Sequence, residues 1–142
     1  MTQRAEGYFR QERIDGVTTI VILDSEIIPE SKDQLFAIAD RLSESAEPRW
    51  VVLNLATVQT SKSIAIGILI NFQTRVRNAG GTLKICRVHP DILRLFELTK
   101  TDQVFEIEDR QRDAIEVFHG RSRPPRERQP SWFSRLIGKK SQ

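Results

Sequence analysis

Two short apolar or alternating runs, Tyr8 to Ile14 and Val17 to Leu23, are separated by Asp15-Gly16. Asp-Gly between such runs signals a tight hairpin, so the chain is predicted to open with two antiparallel strands. Pro29 leads into Ser31-Lys32-Asp33-Gln34, which fits a capping box, and Leu35, Ile38, Ala39, Leu42 and Ala46 mark one face of a first helix ending before Pro48. The continuous run Trp50 to Leu55 reads as a strand buried on both faces, because sheet interiors favour such runs over alternation. A second helix follows, with Ala65, Ile68, Leu69, Phe72 and Val76 at helical spacing, closed by Asn78 and Gly80-Gly81. Thr82 to Val88 forms the next strand, and Pro90 opens a short helix with Ile92, Leu95 and Phe96 inward. Gln103 to Ile107 is predicted as a last strand, and Asp109 as the cap of a last helix carrying Ala114, Val117 and Phe118.

A hairpin followed by strand–helix alternation implies an α/β fold, a mixed β-sheet packed with about four helices in a single domain over residues 7–118. After Phe118 the pattern collapses into Gly-Arg-Ser-Arg-Pro-Pro-Arg-Glu-Arg, so residues 119–142 read as a basic, solvated tail. The overall net charge of +3 hides this segregation: residues 119–142 hold seven basic residues against one acid, a net of +6, which leaves the preceding 118 residues at −3. No stretch reaches the eighteen or so apolar residues that span a bilayer, and Thr-Gln-Arg-Ala-Glu-Gly ahead of the first strand is not expected to act as a secretory signal. The single cysteine, Cys86, falls inside an apolar run and is expected to be a buried thiol. With one Cys and two His, neither a disulfide framework nor a zinc site is expected, and a cytoplasmic setting is the default.

Chemistry concentrates between Thr57 and Ser63. Thr57, Thr60, Ser61 and Ser63 lie where a buried strand becomes a helix, beside open backbone N–H groups and the positive end of a helix dipole. Such a cluster either presents a hydrogen-bonding or phosphorylatable surface, or supplies a helix N-cap with solvated loop residues around it. His89, before Pro90, reads as a loop or cap residue, since no nucleophile or carboxylate is spaced to work with it. The chain shows no phosphate-binding glycine loop, no carboxylate pair of recognisable spacing and no metal cluster. It is expected to be a non-enzyme without a cofactor.

The ordered set of segments resembles the STAS domain, the family of bacterial anti-sigma factor antagonists and related modules. The features that carry the resemblance are the hairpin with Asp-Gly, Val-Val-Leu-Asn-Leu before the hydroxyl loop, Ile-Ala-Ile-Gly-Ile-Leu in the next helix, and Asn-Ala-Gly-Gly-Thr-Leu-Lys-Ile entering the next strand. His89-Pro90-Asp91 to Phe105 continues the match. The resemblance implies a transcription-regulating signalling module that docks on a protein partner, often a serine kinase acting as an anti-sigma factor. Phosphorylation at the start of the central helix breaks that docking in the family.

Family members switched in this way read Asp-Ser-Ser/Thr-Gly-Leu-Gly there. Aligning Gly67 with the last glycine puts Lys62 at the acid, Ser63 at the first hydroxyl, Ile64 at the usual phosphoacceptor and Ala65 at the first glycine. The acceptor has then moved to Ser63 or Ser61, or docking is permanent. The docking face is expected to comprise Asp24, Ser25, Thr60, Ser61, Lys62, Ser63, Ile64, Asn71 and Arg75. An alternative is a STAS-type subunit of a membrane-associated lipid-transport or transporter complex. In that case the tail residues Trp132, Phe133, Arg135, Leu136, Ile137, Lys139 and Lys140 supply peripheral contact with a membrane or partner. No nucleic-acid partner is expected.

Overall fold

The structure, a computed structural model, describes residues 7–121. Strands β1 (Phe9–Ile14) and β2 (Val17–Ile22) form the predicted hairpin, with Ile14 opposite Val17. The two-residue turn needs positive φ at both positions, and Asp15 (52°) and Gly16 (78°) supply it. There follow α1 (Lys32–Arg41), β3 (Arg49–Asn54), α2 (Ser63–Asn78), β4 (Gly81–Cys86), α3 (Pro90–Leu98), β5 (Ile107–Glu108) and α4 (Gln111–Phe118). The sheet order is β1-β2-β3-β4-β5, antiparallel between β1 and β2 and parallel thereafter.

Side-chain alternation sends the two faces of the sheet to different covers. Ile20, Val51, Leu53, Leu83 and Ile85 join the main core with Leu35 and Ile38 of α1, Leu69 and Phe72 of α2, and Ile92 and Phe96 of α3. Val17, Val52 and Cys86 point the other way and meet Ala114 and Ile115 of α4. The strand reading of Trp50–Leu55 as buried on both faces holds: Val51, Val52 and Leu53 are each 0% exposed. All five apolar positions expected inside α2 are buried.

Several local expectations fail, each for a visible reason. The capping box does not form, because Ser31 closes a 3-10 turn (Pro29–Ser31) and its Oγ donates to the Ile28 carbonyl at 2.8 Å. Ala46 lies exposed beyond α1, since a second 3-10 turn (Leu42–Glu44) ends the helical path and buries only Leu42. In α3, Leu93 is buried while Leu95 is half-buried. The last strand is two residues long and starts at Ile107. Upstream, the Val104 N–H bonds the Thr101 carbonyl in a turn, and the Val104 carbonyl accepts from Gln73 Nε2, so Gln103–Phe105 has no ladder to join. The N-cap position of α4 falls to Arg110, whose side chain makes no cap bond, and the Asp109 carbonyl accepts from the Arg87 N–H.

Arg49 ties the far end of the sheet together. Its guanidinium donates to the carbonyls of Ser45 (3.0 Å), Ala79 (3.0 Å) and Ser43 (3.2 Å), linking the exit of α1 to the exit of α2. It also explains Gly80, where φ is +84° and a β-carbon would lie 2.7 Å from Arg49 Nη1. At the chain's exit, the Phe118 ring stacks on Trp50 (centroids 5.2 Å), and Arg121 Nη2 lies 2.8 Å from Asp15 Oδ2. Described contacts therefore continue to Arg121, three residues past the expected boundary.

Arg49→Ala strands three carbonyls and should lower unfolding free energy by about 2–3 kcal/mol in urea titration, with Arg49→Lys recovering less than half. Burial pushes the Cys86 thiol up to about 12. The unfolded thiol ionises first, so the folded state binds more protons at alkaline pH, and stability should fall between the ordinary value of 9 and about 12. Denaturation midpoints measured across that range should flatten in Cys86→Ala.

Candidate protein-docking site

Because β2 and β3 run parallel, the loops leaving their carboxyl ends emerge at one pole of the sheet. Buried apolar residues pin each loop from beneath: Ile27 in the first, Leu55 and Val58 in the second. The Leu55 N–H bonds the Cys86 carbonyl, and the Val58 N–H bonds the Leu55 carbonyl, fixing the turn that delivers the hydroxyl segment. One acceptor joins the two loops. The Ser25 carbonyl accepts from the Gln59 N–H at 2.9 Å and the Thr60 N–H at 3.2 Å. Asp24 and Ser25 thus stand exposed next to Thr60, and the structure brings together the two segments the sequence reading picked out separately.

No hydroxyl caps α2. The N-cap position belongs to Lys62, in extended backbone (φ −104°, ψ 164°), and its carbonyl accepts from the Ala65 N–H. Ser63 is the first helical residue and exposed, and Ser61 is half-buried with its Oγ 3.4 Å from the Lys62 carbonyl. The expected cap bond is absent because the extended Lys62 itself fills the capping position. The start of α2 is therefore electropositive: no acid lies in its first turn, Lys62 stands at the cap, and the helix dipole adds to both.

Ile64 is 55% exposed, although a buried isoleucine is worth about 1.5–3 kcal/mol. It heads a stripe along α2 that continues through Gly67, Asn71, Thr74 and Arg75, all exposed. Arg75 is committed on its other side: its Nη1 donates to both carboxylate oxygens of Asp40 (2.9 and 3.1 Å), and its guanidinium lies 4.4 Å from the Phe36 ring centre. Between α1 and α2 runs a groove of about 490 Å³ lined by Asp40, Ser43, Asn71, Thr74, Arg75, Asn78 and Ala79.

Two contributors escaped the sequence reading. Gln59 carries the stronger of the two bonds to Ser25, a backbone role that no side-chain pattern announces. Gly67 served there only as an alignment point, yet a β-carbon on it would meet nothing within 4 Å. An exposed mid-helix glycine costs roughly 1 kcal/mol relative to alanine. That signal was available in the sequence and tells of a surface left flat.

The two histidines make contacts that hold the fold. His89 Nδ1 accepts from the Asp91 N–H and caps α3, as expected. His119 Nε2 lies 2.7 Å from the Asp15 carbonyl oxygen. Among the described residues no His, Cys, Asp and Glu gather into a group that could hold a metal ion, and no helix is long and apolar enough to cross a membrane. Trp132, Phe133, Arg135, Leu136, Ile137, Lys139 and Lys140 lie outside the described residues.

Comparison with known proteins places this geometry in a family. The STAS domain model matches residues 8–114. An anti-sigma F factor antagonist of Paenibacillus polymyxa is 23% identical over 96 residues, covering 68% of this chain and 82% of that protein. The structure of a STAS domain protein from Planctomyces limnophilus superposes with a TM-score of 0.67 at 20% identity, covering 78% of this chain and 97% of the other. The murine anion transporter solute carrier 26 family member A9 contains the same fold, with a TM-score of 0.54 at 12% identity over 77% of this chain and 18% of that one. The chain belongs to the STAS domain family, the match running from the opening hairpin into the middle of α4.

Proposed function

We propose that this chain is a non-catalytic regulatory module that docks on an anti-sigma factor or a similar partner, in the manner of an anti-sigma factor antagonist. The docking face is the pole formed by Asp24, Ser25 and Thr60–Ile64, continued along α2 through Gly67, Asn71 and Arg75. The observation that carries this reading is the pairing of Ile64 and Gly67 on one exposed helical stripe. Each is unfavourable in the free protein, one as exposed apolar surface and the other as a helix-weakening residue. A partner that covers the isoleucine and approaches the glycine backbone closely turns both into gains. Preordering of the two loops by the Ser25 carbonyl supports the reading, because a fixed surface loses less entropy on binding.

Regulation, where it operates, acts at Ser63 first and Ser61 second. Ser63 is exposed at the first helical position, where open N–H groups, the dipole and Lys62 all favour a phosphate dianion. Ile64 at the position usual for the acceptor leaves the default state bound. The partner is a serine-kinase-like anti-sigma factor. The alternative, a subunit of a membrane-associated transport complex, draws on the transporter that shares the fold and on the basic tail.

The test is co-purification of the full-length chain from its native host, with bound proteins identified by mass spectrometry. Recovery of a kinase-type regulator supports the proposal, and recovery of a transporter subunit favours the alternative. Ile64→Asp should abolish capture with little change in melting temperature. Gly67→Arg should raise thermal stability slightly, by up to roughly 1 kcal/mol, while weakening capture at least tenfold. Unchanged capture by both variants would remove this face from consideration. Fragment mass analysis of the same material locates any phosphate, expected on Ser63 or Ser61.

A further inference from the structure

The sheet has two edges of very different character. At one, β5 is only two residues long. At the other, β1 offers six residues, and Arg10 to Arg13 are all exposed. Ile14 and Val17 flank the two-residue turn and so exchange hydrogen bonds, as do Tyr8 and Leu23, whose N–H reaches the Tyr8 carbonyl at 2.9 Å. Alternation then fixes the rest: even-numbered residues of β1 bond inward to β2, while Phe9, Gln11 and Arg13 point their N–H and C=O groups away from the sheet.

We propose that this edge pairs with the β1 edge of a second copy, antiparallel and centred on Gln11, to make a ten-stranded sheet. The charge pattern selects both the occupant and the register. Arg10 and Glu12 share one face of β1, where Arg10 Nε already lies 3.4 Å from Glu12 Oε2. Centred on Gln11, each Arg10 stands directly opposite Glu12 of the second copy, and each Ile14 opposite Tyr8. A shift of one residue in the centre either way sets Arg10 against Arg10 or Glu12 against Glu12. Opposite charges across an antiparallel pair stabilise and like charges oppose, so one register is favoured and its neighbours are penalised. The outward groups of Phe9, Gln11 and Arg13 are those that such pairing uses. Scattered edge charges usually guard a sheet against pairing, but here their spacing is self-complementary. The twofold axis reverses the strands, so the two docking poles face opposite ways and the dimer is bivalent.

Sedimentation equilibrium of the full-length chain over a wide concentration range tests this. A reversible dimer is expected. Arg10→Glu and Glu12→Arg each replace two attractive contacts with two repulsive ones and should each weaken it about tenfold, while the double exchange should restore it. Gln11→Cys, on the axis, should form a disulfide-linked dimer under mild oxidation, because directly hydrogen-bonded pairs have Cα atoms about 5.5 Å apart, within disulfide range. Arg13→Cys, opposite Phe9, should not. A chain that stays monomeric up to about 1 mM overturns the proposal. So does a dimer indifferent to the charge exchanges, or one that Gln11→Cys fails to link.

Discussion

A strand with apolar side chains on both faces must be covered twice, and β3 imposes that demand on the whole chain. Val51, Val52 and Leu53 are fully buried in succession, which no surface strand tolerates. Its neighbours β2 and β4 run parallel to it, so each connection has to cross back over the sheet through a helix. Since the strands are added in sequence order and such crossovers are right-handed, α1, α2 and α3 fall on the same face. The opposite face is then left to α4, which is why the last element packs against Val17, Val52 and Cys86 and not into the main core. The location of the candidate docking pole is a further consequence of parallelism. Polar loops gather where β2 and β3 both end.

The loops there are positioned by backbone more than by side chains. Buried Ile27, Leu55 and Val58 set their height, and the Ser25 carbonyl sets their separation. This leaves the exposed side chains of Asp24, Thr60, Lys62 and Ser63 with little structural duty. Arg75 differs, because its bidentate pairing with Asp40 and its place over Phe36 join α1 to α2. A partner reaching that end of the stripe meets a guanidinium already neutralised, and so gains less from charge there than at Lys62.

How much was legible in the sequence depended on the range of the interaction. The hairpin, the buried strand and the apolar face of α2 follow from local rules: the need for positive φ at Asp15-Gly16, continuous burial, and helical spacing. The errors cluster where a distant group takes over a local one. Gln73, from the middle of α2, captures the Val104 carbonyl and shortens β5. The Arg87 N–H holds the Asp109 carbonyl, and the cap position of α4 falls one residue later, at Arg110. The capping box failed against a nearer competitor, the Ile28 carbonyl, which Ser31 reaches within its own 3-10 turn. At the candidate site, the residue types were readable but their assembly was not. The bond from the Ser25 carbonyl to residues 59 and 60 spans more than thirty positions and involves main-chain atoms that every residue possesses.

The order of Lys62, Ser63 and Ile64 bears on how such a surface can be switched. An apolar anchor gains by leaving water, whereas a dianion in a closed interface must give up strong hydration. Placing the two on adjacent residues means that a phosphate at Ser63 opposes burial of Ile64 without itself touching the partner's apolar pocket. Lys62 and the first turn of α2 lower the cost of holding that phosphate in the free chain. Both effects favour the undocked state, so an isoleucine at the usual acceptor position need not exclude switching. Under the proposed function, it would move the switch by one residue and make the bound form the resting one.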